Sequence, residues 1–279
     1  MSSAINSITH AKIKGFLEGF LQTKIDSYKN KNFKQPITAK EYLSRISKKG
    51  DLRPFHAAML SPSLMRVSAF ERGFSTSLGS TFEEAAKLIA SQHHQEAHRN
   101  YALLAEVSSS GLAEIERQKE RYDRAIQKNQ TKPSFEEMLG EVMAACKSND
   151  IEKKVVQADL YILTQHNQQL FFEIKAPKPN KGQCLEVLQR LLRFQLFQAN
   201  SVNQVKTFYG MPYNPYGTLE KYNWIQAKTY LPFEDVVLVG DRFWSVLGGE
   251  GTYEALVEIY LEVGRELGKS MLDQLAFDF

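Results

Sequence analysis

The hydrophobic period of this chain changes near residue 155, from the roughly 3.6 residues of a helix to about 2 residues, the period of a strand. In residues 155–163 (VVQADLYIL) apolar side chains alternate with polar ones, and residues 170–175 (LFFEIK) repeat the alternation after the polar turn TQHNQQ. Two alternating segments joined by a short polar turn are typical of a β-hairpin. A purely helical fold is therefore not expected.

Helices are predicted on both sides of this hairpin. Residues 8–30 place apolar side chains at intervals of three and four, and the pattern returns in residues 184–198 and 252–275. Short apolar segments at residues 205–210 and 236–240 are typical of further strands. This alternation favours an α/β fold, with a central mixed β-sheet flanked by helices and a helical N-terminal region.

Capping residues and prolines predict where several helices begin. A Ser or Thr followed three residues later by Glu can form a capping box, and this spacing occurs in the pairs Thr38 and Glu41, Thr81 and Glu84, and Ser134 and Glu137. The second pair predicts a helix that begins near residue 82. Pro54 and Pro62 are expected to bracket a loop-rich junction before it.

The sequence between residues 82 and 150 shows only helical patterns. Residues 111–130 carry charged side chains nearly all around the helix, which predicts an exposed helix or arm rather than part of the core. No strand is predicted before residue 150.

The charge of the chain is unevenly distributed, although its net value is only +3. Residues 1–68 contain 12 Lys or Arg and 4 Asp or Glu, whereas residues 220–279 contain 5 and 11. A basic region of this kind either faces a polyanion or is simply solvated. Charge alone leaves both interpretations open.

The sequence gives no indication of a membrane or secreted protein. It lacks a run of about 18 apolar residues and the apolar core of a secretory signal. Cys146 and Cys184 are too few for a disulfide framework and have no zinc-type spacing. We expect two buried small side chains, a reduced compartment and a cytoplasmic protein.

The predicted hairpin brings together three side chains that can carry chemistry. Asp159 lies on its first strand, and Glu173 and Lys175 lie on one face of the second, about 7 Å apart along the strand. Charges on an apolar strand are costly to bury without a partner. A Mg²⁺ ion would explain the two carboxylates, and the lysine could orient a water beside it. The alternative is an ordinary surface ion pair.

A basic segment follows the second strand directly. The run APKPNKGQ contains two lysines, no acidic residue and two prolines that stiffen its backbone. It is predicted to hold a DNA backbone, together with the helix after it, because side chains of these types contact phosphates and base edges. The candidate contacts are Lys178, Asn180, Lys181, Gln183, Arg190 and Arg193.

At this point the chain resembles the PD-(D/E)XK nuclease superfamily, in which an acid on one strand precedes (D/E)-x-K on the next. Residues 70–84, residues 158–193, the motif GMPYNPYG and the segment VVLVGDRFW resemble type II restriction endonucleases of the TdeIII group. The similarity spans roughly residues 65–265. It implies a restriction-endonuclease-like catalytic domain at residues 69–279, after a basic helical region at residues 1–68.

The resemblance also implies an activity and partners. The enzyme would be a Mg²⁺-dependent homodimer that cuts both strands of double-stranded DNA at a short palindromic site, such as GGNCC, and leaves 5′-phosphate ends. A DNA methyltransferase would accompany it in a restriction-modification system. Asp159, Glu173 and the carbonyl of Ile174 would hold the metal ion, and Lys175 would position the attacking water.

Other residues have both a functional and a structural interpretation. Glu83 or Glu84 could add a carboxylate to the metal site, or Glu84 could only complete the capping box. Arg72 could contact phosphate or pair with a helical neighbour. Tyr213 and Asn214 could read bases, although their segment is rich in turn-forming residues. A metal site at His93, His94 and His98 is less expected than a solvated helix end, and Trp224 and Trp244 are expected to be packing residues.

Two other functions remain open on the sequence alone. The same chemistry could serve a repair or structure-specific nuclease, which needs no dimer and no palindrome. A non-catalytic DNA-binding module is the third possibility, although such a module has no reason to gather two acids near phosphates.

Overall fold

The computed structural model describes residues 4–29, 31, 38–48, 50 and 52–277. The chain divides into two compact units. The first, here called the sheet unit, comprises Met1–Thr9 and Phe82–Leu256, and the second, the helical unit, comprises His10–Thr81 and Val257–Phe279. The boundary proposed from sequence, between residues 68 and 69, lies within a helix of the helical unit, so that division stays a proposal.

The described helices are α1 (Ser7–Lys29), α2 (Ala39–Leu43), α3 (Pro54–Met59), α4 (Pro62–His93), α5 (Ser109–Gln127), α6 (Phe135–Ala145), α7 (Lys181–Phe197), α8 (Ile225–Tyr230), α9 (Phe233–Val236), α10 (Asp241–Gly248) and α11 (Thr252–Leu272). A 3₁₀ turn at Leu219–Lys221 and a π-helical turn at Asp273–Phe277 complete the helical segments of the described residues.

The described strands form one mixed sheet, which confirms the predicted α/β fold class. They are β1 (Glu96–Ser108), β2 (Ile151–Leu163), β3 (Gln169–Ile174), β4 (Val205–Met211) and β5 (Val237–Val239). Their spatial order is β1-β2-β3-β4-β5. The first three pair antiparallel, and β3, β4 and β5 pair parallel. The parallel pairs need crossover connections, and α7 supplies the one between β3 and β4.

The predicted hairpin is formed by β2 and β3, with Leu160 opposite Phe172 and Ile162 opposite Leu170. Asn167 adopts a positive φ of 59° in the turn that joins them. Both faces of the hairpin are covered, because Tyr161 and its neighbour Leu160, which point to opposite faces, are both buried. The sheet is therefore a central layer.

The main core lies between the sheet and helices α5, α6 and α7. Its largest side chains include Tyr122 of α5, Phe171 of β3, Phe194 of α7 and Tyr209 of β4. The rings of Phe171 and Phe194 stack with centroids 5.5 Å apart. Burial of such side chains stabilises a fold by about 1.5–3 kcal/mol each, so this packing fixes β3 against α7.

The helical unit has a smaller core of its own. Ile25 of α1, Phe70 of α4 and Leu275 pack together in it. On its surface the ammonium of Lys14 lies 2.6 Å from Glu262 and 2.7 Å from Glu266, which joins α1 to α11. These contacts stabilise the helix that the amphipathic pattern of residues 8–30 predicts. Residue 30 lies outside the described residues.

The prediction that a helix begins near residue 82 is wrong. Helix α4 starts at Pro62 and continues without a break to His93. The hydroxyl of Thr81 donates to the carbonyl of Leu78 and accepts from Tyr260, so it caps nothing. Ser and Thr hydroxyls that bond back to the preceding turn are compatible with a helix interior, which is why the helix persists.

The loop-rich junction predicted between Pro54 and Pro62 is also mostly helical. Both prolines occupy the first turn of a helix, Pro54 in α3 and Pro62 in α4. Proline is favoured there because the missing N–H would have no partner in a helix anyway. The other two predicted caps are observed: Thr38 accepts from the amide of Glu41, and Ser134 with Glu137 forms a complete capping box.

The prediction of no strand before residue 150 is wrong as well. Strand β1 pairs with β2 along its whole length, from Glu96 opposite Leu163 to Ser108 opposite Ile151. Nor is α5 merely an exposed arm, since Ile115 and Tyr122 are fully buried. Their spacing of seven residues forms a narrow apolar stripe in an otherwise charged helix.

Candidate active site

The hairpin brings Asp159, Glu173 and Lys175 into one cluster, as their spacing predicts. Asp159 lies on β2, Glu173 on β3, and Lys175 follows β3 directly. The ammonium of Lys175 lies 2.8 Å from Oε1 of Glu173 and 3.1 Å from Oδ2 of Asp159. The two carboxylates therefore converge on one cation.

Backbone hydrogen bonds fix the orientation of this cluster. The amide of Ile174 donates to Oδ2 of Asp159 at 2.7 Å. The amide of Lys175 donates to the carbonyl of Gly210 on β4 at 3.1 Å. The first bond ties the Asp159 carboxylate to the backbone of β3, and the second ties the backbone of Lys175 to β4, so the cluster is attached to the central strands of the sheet.

The three side chains differ sharply in exposure. Glu173 is 2% exposed, Asp159 17% and Lys175 48%. Burial, followed by the nearby charge of Asp159, raises the pKa of Glu173. Burial alone would lower the pKa of Lys175, but its hydrogen bonds and charge interactions with Glu173 and Asp159 together outweigh burial and raise that pKa. The cluster thus contains a buried carboxylate that needs positive charge beside it.

Arg190 supplies a second positive charge to Glu173. Its Nη1 lies 3.2 Å from Oε2 of Glu173, and its Nη2 lies 3.4 Å from Glu186 one helical turn away. Sequence reasoning identified Arg190 only as a candidate DNA contact. Its position 17 residues after Glu173 gives no signal of this pair, which depends on how α7 packs against β3.

Gly210 is a residue of the site that sequence reasoning missed. It lies opposite Ile174 on β4. A Cβ atom there would lie 2.6 Å from the buried ring of Phe243, closer than real contacts allow. The absence of a side chain therefore lets β4 and α10 approach each other beside the cluster.

Three aromatic side chains hold the basic segment that follows β3, and their partners were also not predicted. The hydroxyls of Tyr209 and Tyr222 donate to the carbonyls of Ala176 and Pro177. The indole of Trp224 donates to the carbonyl of Pro179 at 2.6 Å. Trp224 and the fully buried Trp244 are packing residues, as expected.

The predicted DNA contacts along this segment already have partners within the chain. Lys178 lies over the rings of Tyr216 and Trp224. Asn180 and Gln183 form the capping box that starts α7. Lys181 pairs with Asp123 and Arg193 with Glu116. The exposed ion pairs among these contacts contribute little to stability.

The remaining candidates lie elsewhere. Tyr213 is 39% exposed, and Asn214 bonds to Tyr216 and Thr218 within a turn. Arg72 lies in the helical unit and donates to Ser68 at 2.6 Å. The structure thus brings the catalytic candidates together, whereas the proposed DNA contacts occupy several surfaces.

Glu83 and Glu84 of α4 both pair with Arg99 of β1. Arg99 lies 2.7 Å from Glu83 and 2.9 Å from Glu84, and it stands opposite Leu160 in the sheet. Lys87 also lies 3.4 Å from Glu84. Each carboxylate therefore pairs with a cationic side chain of the same protein.

The histidines do not form the helical cluster that their spacing suggested. His93 and His94 end α4, whereas His98 lies on β1 and contacts Glu96 at 3.3 Å. Within the described part of the chain, no group of three or more His, Cys, Asp or Glu side chains is arranged to hold a metal ion. A cation at Asp159 and Glu173 would take its other ligands from backbone carbonyl, water or substrate oxygens.

The two cysteines are buried or partly buried, as expected. Cys184 is fully buried, and burial raises its pKa to about 12. Cys146 is free and partly buried, and burial also raises its pKa. None of the described helices is long and apolar enough to cross a membrane.

The comparisons with known proteins agree on one protein family. The model of the family described as "Type II restriction endonuclease, HinfI" matches residues 3–264. The type II restriction enzyme HgiEI of Herpetosiphon aurantiacus is 45% identical over 262 residues, which is 94% of this chain and 95% of that protein. HgiBI and HgiCII of the same organism are 44% and 43% identical over 262 residues, again 94% of this chain and 95% of each of those proteins. No solved structure matches significantly.

Proposed function

Because this chain belongs to the HinfI family of type II restriction endonucleases, we propose that Asp159, Glu173 and Lys175 carry out its cleavage of double-stranded DNA. The resemblance to type II restriction endonucleases drawn from the sequence is confirmed, and HinfI is the family whose model matches. The observation that supports the assignment is the convergence of both carboxylates on the Lys175 ammonium, at 2.8 and 3.1 Å.

The donor set fits a hard divalent cation. The carboxylates of Asp159 and Glu173 repel each other, and both face the ammonium of Lys175. The backbone of Ile174 lies beside them. Oxygen donors of this kind suit Mg²⁺. We propose that Asp159, Glu173 and the carbonyl of Ile174 hold Mg²⁺. When bound, the ion supplies positive charge that polarises the scissile phosphate.

The residues of the chain then have distinct roles. Asp159 and Glu173 would hold the positive charge of Mg²⁺ beside the scissile phosphate. Lys175 orients a water in line with the leaving 3′ oxygen. The water oxygen bonds to phosphorus, the bond from phosphorus to the 3′ oxygen breaks, and the products carry a 5′ phosphate and a 3′ hydroxyl. Arg190 favours the ionised form of the buried Glu173.

The proposed substrate is a short palindromic site such as GGNCC, cut on both strands by a homodimer. Twofold symmetry supports the dimer, because two active sites related by that axis match two strands related by the same axis. A methyltransferase of the same specificity would protect the host DNA. Lys178, Lys181, Arg193, Tyr213 and Asn214 are the proposed contacts to DNA.

A plasmid digest with purified protein tests this function. Discrete fragments that appear only with Mg²⁺, and whose sequenced ends share one palindrome and carry 5′ phosphates, are the expected result. Degradation from ends, cutting at flaps or random nicking would favour a repair nuclease instead. Sedimentation of the protein with a duplex containing the site would show two chains per duplex.

A further inference from the structure

The helical unit contains a cavity of about 800 Å³ whose walls are rich in cations. Helices α1, α3 and α4, with Arg45, Leu52 and Arg53, form these walls. The cationic side chains that line it are Lys24, Lys31, Arg45, Arg53, His56 and Arg72. None of its described lining residues is an Asp or Glu.

Two of these cations have neutral partners within the cavity wall. The guanidinium of Arg72 donates to the hydroxyl of Ser68 at 2.6 Å, and the ammonium of Lys24 donates to the hydroxyl of Ser77 at 2.5 Å. A hydroxyl partner orients a cation without cancelling its charge. Arg45 pairs with Glu41 at 2.9 Å, so the positive charge available to an anion is that of Lys24, Lys31 and Arg72.

The shape of the wall depends on a close approach between α1 and α4. A Cβ atom at Gly73 would overlap the hydroxyl of Tyr28, so only glycine permits this packing. The ring of Tyr28 contacts Phe70 edge-on and lies 4.0 Å from the ammonium of Lys31. Tyr28 thus places Lys31 at the cavity and gives this part of the wall a defined form.

We propose that this cavity binds consecutive phosphate groups of the DNA backbone, as a contact additional to those around Asp159. Lys24, Lys31 and Arg72 together carry more charge than a single phosphate group, of about −1 to −2, would neutralise. Hydroxyls and cations together are the groups that contact backbone phosphates without reading sequence. The inference rests on the proposed function, and it explains the basic character of residues 1–68.

The test is the salt dependence of binding to a DNA duplex, measured on the full chain in EDTA so that no cleavage intervenes. We expect Lys24→Gln and Arg72→Gln each to weaken binding several-fold and to reduce the slope of log K against log salt by about 0.9, the value for one phosphate contact. Arg72→Lys, which keeps the charge, should retain the slope of the unaltered protein.

Lys12→Gln is the matched control, because Lys12 is exposed on α1 and does not line the cavity. It should leave both affinity and slope unchanged. Equal slopes for the unaltered protein, Lys24→Gln and Arg72→Gln would overturn the inference alone, provided that the unaltered protein binds DNA and cleaves it with Mg²⁺. Failure of the unaltered protein to bind duplex DNA would overturn both this inference and the proposed function.

Discussion

The ammonium of Lys175 lies 2.8 Å from Oε1 of Glu173, two residues earlier in the chain, and Glu173 is almost completely buried. A buried carboxylate is unfavourable without a positive partner. Here the partners are Lys175 on one oxygen and Arg190 on the other. This arrangement keeps a carboxylate inside the sheet, beside the more accessible Asp159.

The pair of Arg190 and Glu173 should be energetically coupled. Arg190→Met leaves Glu173 with one cation, and we expect the free energy of unfolding to fall by about 1–3 kcal/mol, less than for a fully buried pair because Arg190 is partly exposed. In a double-mutant cycle with Glu173→Gln, the coupling energy should exceed about 0.5 kcal/mol. Urea denaturation measures these values.

Glu186→Gln is the control for that cycle. Glu186 contacts the same arginine at 3.4 Å but is well exposed, so its removal should change stability by less than about 0.5 kcal/mol. A coupling energy near zero between Arg190 and Glu173 would mean that the ion pair does not stabilise the buried carboxylate.

Gly210→Ala should destabilise the protein. The new methyl group would meet the ring of Phe243, and overpacking of this kind costs about 1–3 kcal/mol. Because the carbonyl of Gly210 accepts from the amide of Lys175, cleavage should fall too. Gly140→Ala is the control, since a Cβ there meets nothing within 4 Å and alanine favours the helix. Thermal unfolding that is equal for both variants would contradict the packing argument.

Ser134→Ala should cost about 1 kcal/mol of stability, the usual value of a helix N-cap. The hydroxyl accepts from the amide of Glu137 at 3.1 Å, while the Glu137 carboxylate accepts from the amide of Ser134 at 2.8 Å. Ser91→Ala, at an exposed position in the last turn of α4, is the comparison and should be neutral or slightly stabilising. A stability of Ser134→Ala equal to that of the unaltered chain would show that this capping box contributes nothing.

Glu83→Gln and Glu84→Gln test the proposed additional carboxylate of the metal site. If one of them adds a ligand, its variant should need several-fold more Mg²⁺ for half-maximal cleavage. The readout is the cleavage rate over a series of Mg²⁺ concentrations. The same requirement in both variants as in the unaltered protein would restrict these residues to their pairs with Arg99.

The central hairpin and its cluster were predictable because the relevant information is local. Alternation in residues 155–163 and 170–175 fixes the strands, and a short turn fixes their register, which places Asp159 beside Glu173. Strand β1 was not predictable in this way. Its exposed positions mix Ala102 and Leu104 with polar residues, so its alternation is weak, and its pairing with β2 is a long-range property.

The remaining parts of the site depend on contacts that no spacing reveals. Arg190 reaches Glu173 only because α7 crosses β3, and Gly210 matters only because Phe243 lies against it. The start of α4 was missed because a local Thr81 and Glu84 spacing was given more weight than the helical continuity around it. Long-range packing decides such cases, not local propensity.

The active-site assignment is tested most directly by Mg²⁺-dependent cleavage of plasmid DNA by the unaltered protein and by Lys175→Met and Asp159→Asn. We expect discrete fragments from the unaltered protein only when Mg²⁺ is present. We expect a loss of cleavage of about 100-fold or more in both variants, with duplex binding preserved. Lys175→Met should also lower the thermal unfolding temperature, because it removes a cation from the buried Glu173; circular dichroism at the assay temperature shows whether both variants are folded. Cleavage by either folded variant at the rate of the unaltered protein would contradict the assignment of the active site.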